Sequence, residues 1–218
     1  MAMELTKEQI YKIEKYLDHK YFDAIDLRPE ILDHMVSDVE RKMSRNLSFE
    51  SAFKMTVLKW DNHFKDTSSF FFGLIYTNSK IVVKKAVKLF KPFYLLYLAA
   101  YFLPVVFLKL YPIKVSESAV DFINGFIHSF SLALLGYLLF IIVKTKMSKV
   151  KTTFRFILST QYSGLILLIM GLLVGVFKDN GELNPVFTGF VSAGYAVVFI
   201  CHHFYKKHVE VISKLKSV

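Results

Sequence analysis

Residues 119–143 read AVDFINGFIHSFSLALLGYLLFIIV, and this stretch decides the fold. It is mostly apolar and reaches the ~20 residues a helix needs to cross a bilayer. Three further stretches of the same kind flank it, at roughly 92–111, 154–177 and 185–205. With 54% hydrophobic residues and a mean hydropathy of +0.39, the chain exceeds the apolar content usual for soluble domains. Pro104 inside the first stretch is placed to kink it. The expected core of the protein is therefore a four-helix transmembrane bundle over 92–206, followed by a basic tail at 207–218.

Charge is distributed in step with these stretches. Residues 1–66 hold 11 Lys/Arg against 13 Asp/Glu, whereas residues 67–218 hold 17 against 5. The excess behind the net charge of +10 thus sits beside or between the apolar stretches, which points to membrane topology and anionic lipid. It removes the electrostatic support for a nucleic-acid-binding domain, so no nucleic-acid partner is expected. Fourteen basic residues fall in the flanks 80–91, 144–155 and 206–216, and only Lys109, Lys114 and Lys178 fall in the opposite loops. The bias places both termini in the cytoplasm. The polar N-terminus, MAMELTKE, does not read as a cleaved signal peptide, so the first apolar helix is expected to direct insertion. Cys201 is the single cysteine and has no intrachain partner for a disulfide.

Residues 1–66 read as three short helices. Thr6 caps the first, with Gln9 as reciprocal partner and Leu5/Ile10 as a hydrophobic staple. Ile13 and Leu17 continue its apolar stripe. The second begins around Asp26 with Pro29 in its first turn, and buries Ile31/Leu32, Met35, Val39 and Met43. Ser48 starts the third, lined by Phe49, Ala52/Phe53, Thr56, Trp60 and Phe64. Residues 67–91 form an aromatic and basic junction. Phe70, Phe71, Phe72 and Tyr76 suit the headgroup zone. Lys80, Lys84, Lys85, Lys88 and Lys91 then face away from Val82/Val83, Ala86/Val87 and Phe90, as in an amphipathic helix lying on an anionic leaflet. The alternative is a basic extension of the first spanning helix. The fold class is all-α.

Leu5-Thr6-x-x-Gln9-Ile10, Tyr16-Leu17, Glu30-Ile31-Leu32-Asp33-His34-Met35, Glu40, Met43 and Ser48-Phe49-Glu50-x-Ala52-Phe53 form a pattern over about residues 4–66. It resembles a divergent HAAS domain, a small helical module of bacterial membrane proteins that is typically fused to transmembrane helices and often encoded beside a PadR-type regulator. The resemblance implies a signalling or regulatory role in a bacterial inner membrane and carries over no catalytic residue.

Three sets of side chains are candidates for chemistry. Asp121, Asn124 and His128 share one face of the second spanning helix, and an ionisable group at membrane depth is a functional candidate. The plain alternative makes Asp121 a wet helix start and His128 an interhelical hydrogen-bonding group. Glu30, Asp33, His34 and Asp38 share a face of the second soluble helix, either as a metal or partner face or as solvated i, i+4 pairs. His202, His203 and His208 are badly spaced for one metal and read as interfacial histidines beside lysines. No metal or cofactor is expected. Small residues line the spanning helices at Gly125, Ser129, Ala133 and Gly136, at Gly171 and Gly175, and at Gly189 and Ala193; they serve packing within the bundle or a dimer seam. No Gly-rich phosphate loop, HExxH, GxSxG or kinase set occurs. The expected function is a non-enzymatic regulatory membrane protein acting through a protein partner or self-association; the alternative is a small transporter or channel-like subunit.

Overall fold

The computed structural model describes residues 4–216 and is helical apart from one hairpin. The soluble helices are α1 (Lys7–His19), α2 (Arg28–Met43) and α3 (Phe49–Phe64). Thr6 and Gln9 close the expected capping box on α1, and Ser48 Oγ accepts from Ser51 N–H at the start of α3. The inward stripes follow the sequence pattern. Ile13, Leu17, Ile31, Met35, Val39, Met43, Phe49, Ala52, Thr56 and Phe64 are buried together. By contacts the chain divides into two units, Met1–Lys88 with Val150–Phe156, and Leu89–Lys149 with Ile157–Val218.

The junction differs from expectation. Residues 66–79 form an antiparallel hairpin of β1 (Asp66–Ser69) and β2 (Gly73–Ser79), with Gly73 at φ +86° making the turn. Its cue in the sequence was a glycine ahead of β-branched and aromatic residues. The aromatic run FFF, read as a headgroup belt, hid that cue. No separate interfacial helix follows: α4 runs unbroken from Lys80 to Leu110 through Pro92 and Pro104. Val82, Val83 and Ala86, the apolar face expected to enter lipid, are buried within the N-terminal unit instead. The overhang is a matter of length: thirty-one residues make a helix about 46 Å long, and the hydrocarbon core takes up only about 30 Å of it.

Four helical segments are long and apolar enough to cross a membrane: α4, α5 (Glu117–Met147), Thr153–Leu173, and α8 (Pro185–Lys216), the last by its described stretch to Lys214. The third is discontinuous. It consists of α6 (Thr153–Thr160) and α7 (Gly164–Leu173), joined at Gln161–Tyr162–Ser163. There the backbone bonds tighten to i, i−3 spacing, from Gln161 N–H to Leu158 O, from Gly164 N–H to Gln161 O and from Ile166 N–H to Ser163 O. The segment also ends at Leu173, short of the expected 177, so Gly175 lies beyond it.

Leu138, Ile141, Leu158, Leu168, Ala193, Val197, Ile200 and Phe204 form the interior of the bundle. Its outside is also apolar: Leu95, Phe102, Leu103, Phe107, Phe122, Leu132, Leu139 and Phe140 are all exposed. Water does not tolerate an apolar surface on that scale, and lipid does. The chain is a multi-pass membrane protein of all-α class.

Neighbouring helices pack closely against several glycines. A methyl group on Gly164 would collide with the Val197 side chain, and one on Gly189 would stand 2.9 Å from Tyr101 O. The stripe on α5 behaves oppositely. Gly125, Ser129, Ala133 and Gly136 are exposed, and a methyl group on Gly125 or Gly136 meets nothing within 4 Å. Their spacing marked them for packing within the bundle or for a dimer seam; the structure turns them outward, which removes the first of the two.

Candidate functional site

The loop between α1 and α2 is held rigidly to the soluble helices. Tyr21 takes a left-handed φ of +52°. Phe22 is buried with its ring centroid 5.3 Å from that of Phe64. The Arg28 guanidinium donates to Phe22 O at 2.8 Å, Glu14 O at 3.3 Å and Asp18 Oδ1 at 2.6 Å. A planar fork with fixed donors suits such a three-way clamp.

This clamped loop holds residues 150–156, the segment that leads into α6. Ile25 N–H donates to Lys151 O at 3.1 Å, and Ala24 and Lys151 form a parallel bridge. Lys151 Nζ lies 2.6 Å from Asp23 Oδ2. Asp26 Oδ1 accepts from Thr153 N–H at 2.8 Å. Thr152 Oγ1 accepts from Arg155 N–H at 3.0 Å, and the Arg155 guanidinium donates to Val150 O at 3.1 Å. Thr152 and Thr153 are buried. The first amides of a helix lack intrahelical partners and favour a negative charge nearby. The N-terminus of α6 therefore has two caps, its own Thr152 and a carboxylate 127 residues upstream.

Asp26 was expected to start α2. That helix begins at Arg28, and its N-cap residue, Leu27, makes no side-chain cap. Pro29 at the start of the helix removes one amide that a cap would have served, which frees Asp26 for α6. Asp23, Asp26 and Thr152 were not recognisable as a group, because their pairing is set by tertiary folding and leaves no short-range pattern.

The expected face of α2 divides. Glu30, Asp33 and His34 are exposed, with Glu30 Oε2 3.7 Å from Lys85 Nζ. Asp38 is buried and turned onto α3. It takes Lys59 Nζ at 2.6 Å and Trp60 Nε1 at 3.0 Å, and it pairs with Arg41. Four-residue steps drift by 40° each on a helix, so two steps carry Asp38 off the face of Glu30. Burial pushes the Asp38 carboxyl up, but the hydrogen bonds from Lys59 and Trp60 and the charges of Lys59 and Lys42 prevail and hold it below its ordinary value. Lys42 Nζ donates to Thr56 Oγ1 at 2.8 Å; burial depresses its pKa despite Asp38. This is a structural hub joining α2 to α3.

Asp121 and Asn124 line a cleft of about 340 Å³ with Glu117, Phe177, Lys178 and Asp179, and His128 stands outside it. Asn124 Oδ1 is buried without a partner. His128 is half-buried and makes no interhelical hydrogen bond among the described residues. Interhelical polar contacts among the described residues include Ser131 Oγ with Tyr195 OH at 2.9 Å and Tyr137 OH with His202 Nδ1 at 2.6 Å. The His203 ring packs on Phe93 at 4.8 Å, and His208 is buried within the protein. Among the described residues no group of His, Cys, Asp and Glu is arranged to hold a metal. Lys84, Lys88 and Lys91 are exposed along α4, and Lys80 and Lys85 are half-buried.

Comparison with protein-family models, curated proteins and solved structures finds no match for this chain.

Proposed function

We propose that the chain is a non-enzymatic regulatory protein of a bacterial inner membrane, with both termini cytoplasmic, that couples the state of its spanning helices to a cytoplasmic partner or to self-association. The observation that supports this reading is the capping of α6 by Asp26. An independent domain on a tether needs one covalent link. Here the chain crosses between the units three times, after Lys88, before Val150 and after Phe156. The third crossing lies within α6, three residues before which the helix is capped from the N-terminal loop and four after which it breaks at Gln161. A short helix fastened at one end and interrupted at the other is suited to transmit a shift of the third span to the Asp23–Asp26 loop. The pattern resembling a HAAS domain points the same way, and the basic flanks supply contact with anionic headgroups.

Amide exchange of the full chain in bilayers of increasing acyl-chain length tests this. The expected result is that exchange at Ile25, whose amide bonds Lys151 O, changes together with exchange at 161–166. If 161–166 respond to thickness and Ile25 does not, the coupling fails.

A second reading is favoured by one observation, the unpartnered Asn124 Oδ1 beside a polar cleft: a small transporter subunit that takes a polar solute or cation at Asp121. Flux through proteoliposomes that is abolished by Asn124→Leu would favour that reading.

A further inference from the structure

The β1–β2 hairpin has a tip that water alone does not explain. Phe70 is 83% exposed, Leu74 79% and Ile75 85%. Successive strand residues point to opposite faces, so exposure of both Leu74 and Ile75 means that neither face of β2 is covered there. Tyr76, next in line, is half-buried. Such a group of exposed large apolar side chains on one hairpin marks an interaction surface.

The partner follows from where the hairpin is anchored. Phe72, between the two strands, is buried, and its ring stands edge-on to that of Phe156 at 5.4 Å. Phe156 is the fourth residue of the 21-residue segment Thr153–Leu173. That segment has little more than the ~20 residues needed to cross the hydrocarbon core. Its first turn must therefore stand at the membrane boundary, and Phe72 stands with it. The residues leading into this turn include Lys144, Lys146, Lys149 and Lys151, a charge suited to anionic headgroups. Lys80 follows directly after β2.

We propose that the hairpin tip, Phe70 with Leu74 and Ile75, inserts into the lipid leaflet on the side of the N-terminal unit. Phe70, Leu74 and Ile75 enter the headgroup–acyl boundary, and the half-buried Tyr76 lies at headgroup level, as amphipathic rings do. The inference rests on the membrane reading alone and is independent of the regulatory one. The hairpin thereby fixes the height of the N-terminal unit over the bilayer at a point remote in sequence from the spanning helices.

Nitroxide labels at Phe70→Cys and Ile75→Cys, in the full chain in phosphatidylcholine–phosphatidylglycerol nanodiscs, test the proposal. Leu58→Cys on α3, a site 70% exposed, serves as the aqueous reference. Cys201 is buried and stays unlabelled. The expected result is a several-fold higher ratio of oxygen to nickel-chelate accessibility at 70 and 75 than at 58. Ratios equal to that at 58 would overturn the proposal, as would protection from both reagents, the mark of a protein-covered tip. Phe70→Trp supplies a check with a milder change. Its added emission should be quenched by lipids brominated high on the acyl chain while the Trp60 emission is spared, and absence of quenching counts against insertion.

Discussion

The N-terminal unit and the spanning bundle are both helical, yet different forces hold them. In the first, helices are joined by polar hubs. Asp38 gathers Lys59, Trp60 and Arg41, and Arg28 clamps three acceptors on α1 and its loop. In the second, helices are joined by close packing against Gly164 and Gly189 and by ring contacts such as Phe93–Phe204 at 5.0 Å. Water drives apolar burial and leaves polar groups to be satisfied inside the protein. Lipid gives apolar side chains nothing to flee, so close packing must supply the attraction. A substitution that is severe in one unit should be mild at its counterpart in the other.

The largest effect is expected at Asp38. Asp38→Ala leaves Lys59, Arg41 and the Trp60 indole without their acceptor, and hydrogen bonds to charged groups contribute about 1.5–3 kcal/mol. Lys59 and Arg41 remain more than half exposed and can turn to water, so a loss of about 2–3 kcal/mol is expected in denaturant melts followed by Trp60 fluorescence. The same melts should show a pH dependence. The folded carboxyl titrates below its ordinary value of 3.8. Its contribution is thus complete above that pH and is lost as pH falls through the folded pKa. Asp38→Asn should flatten this acid limb; an unchanged limb would place the acid sensitivity at another group.

The next effect belongs to the bundle. Gly164→Ala forces a methyl group into Val197, and overpacking of this kind costs about 1–3 kcal/mol. Gly125→Ala and Gly136→Ala point into open space and should fall within about 0.5 kcal/mol of the parent. Unfolding of the reconstituted chain by a denaturing detergent ranks the three. If Gly125→Ala destabilised as much as Gly164→Ala, the α5 stripe would be a packed surface and the contrast between its two glycine classes would collapse.

The same comparison shows what could be read from the chain. The four apolar stretches and the three soluble helices were legible, because each is written in a local pattern: long, mostly apolar runs in one case, i, i+3/i+4 stripes with Thr6 and Ser48 caps in the other. The break at Gln161–Ser163 was not, since its residues are tolerated inside an apolar helix and only their i, i−3 bonds reveal it. The basic face at 80–91 was legible, but its apolar side had two destinations, lipid or protein, and amphipathicity is blind to that choice. Asp121 and Asn124 line one cleft, whereas His128, on the same face in the sequence pattern, does not line it. The role of Asp26 was out of reach altogether, because the amide it caps belongs to a helix on the far side of two spanning segments.

Amide exchange in nanodiscs tests most directly whether Asp26 caps α6. An N-cap is worth about 1 kcal/mol, so Asp26→Ala should speed exchange across 153–160 by about fivefold, while α1 and α3 keep their protection. Asp26→Asn, which retains an acceptor, should restore most of it. Unchanged exchange at 153–160 in Asp26→Ala, or an equal rise throughout residues 4–66, would contradict the account: the first would mean that the carboxylate does not hold the third span, the second that it merely supports the soluble helices.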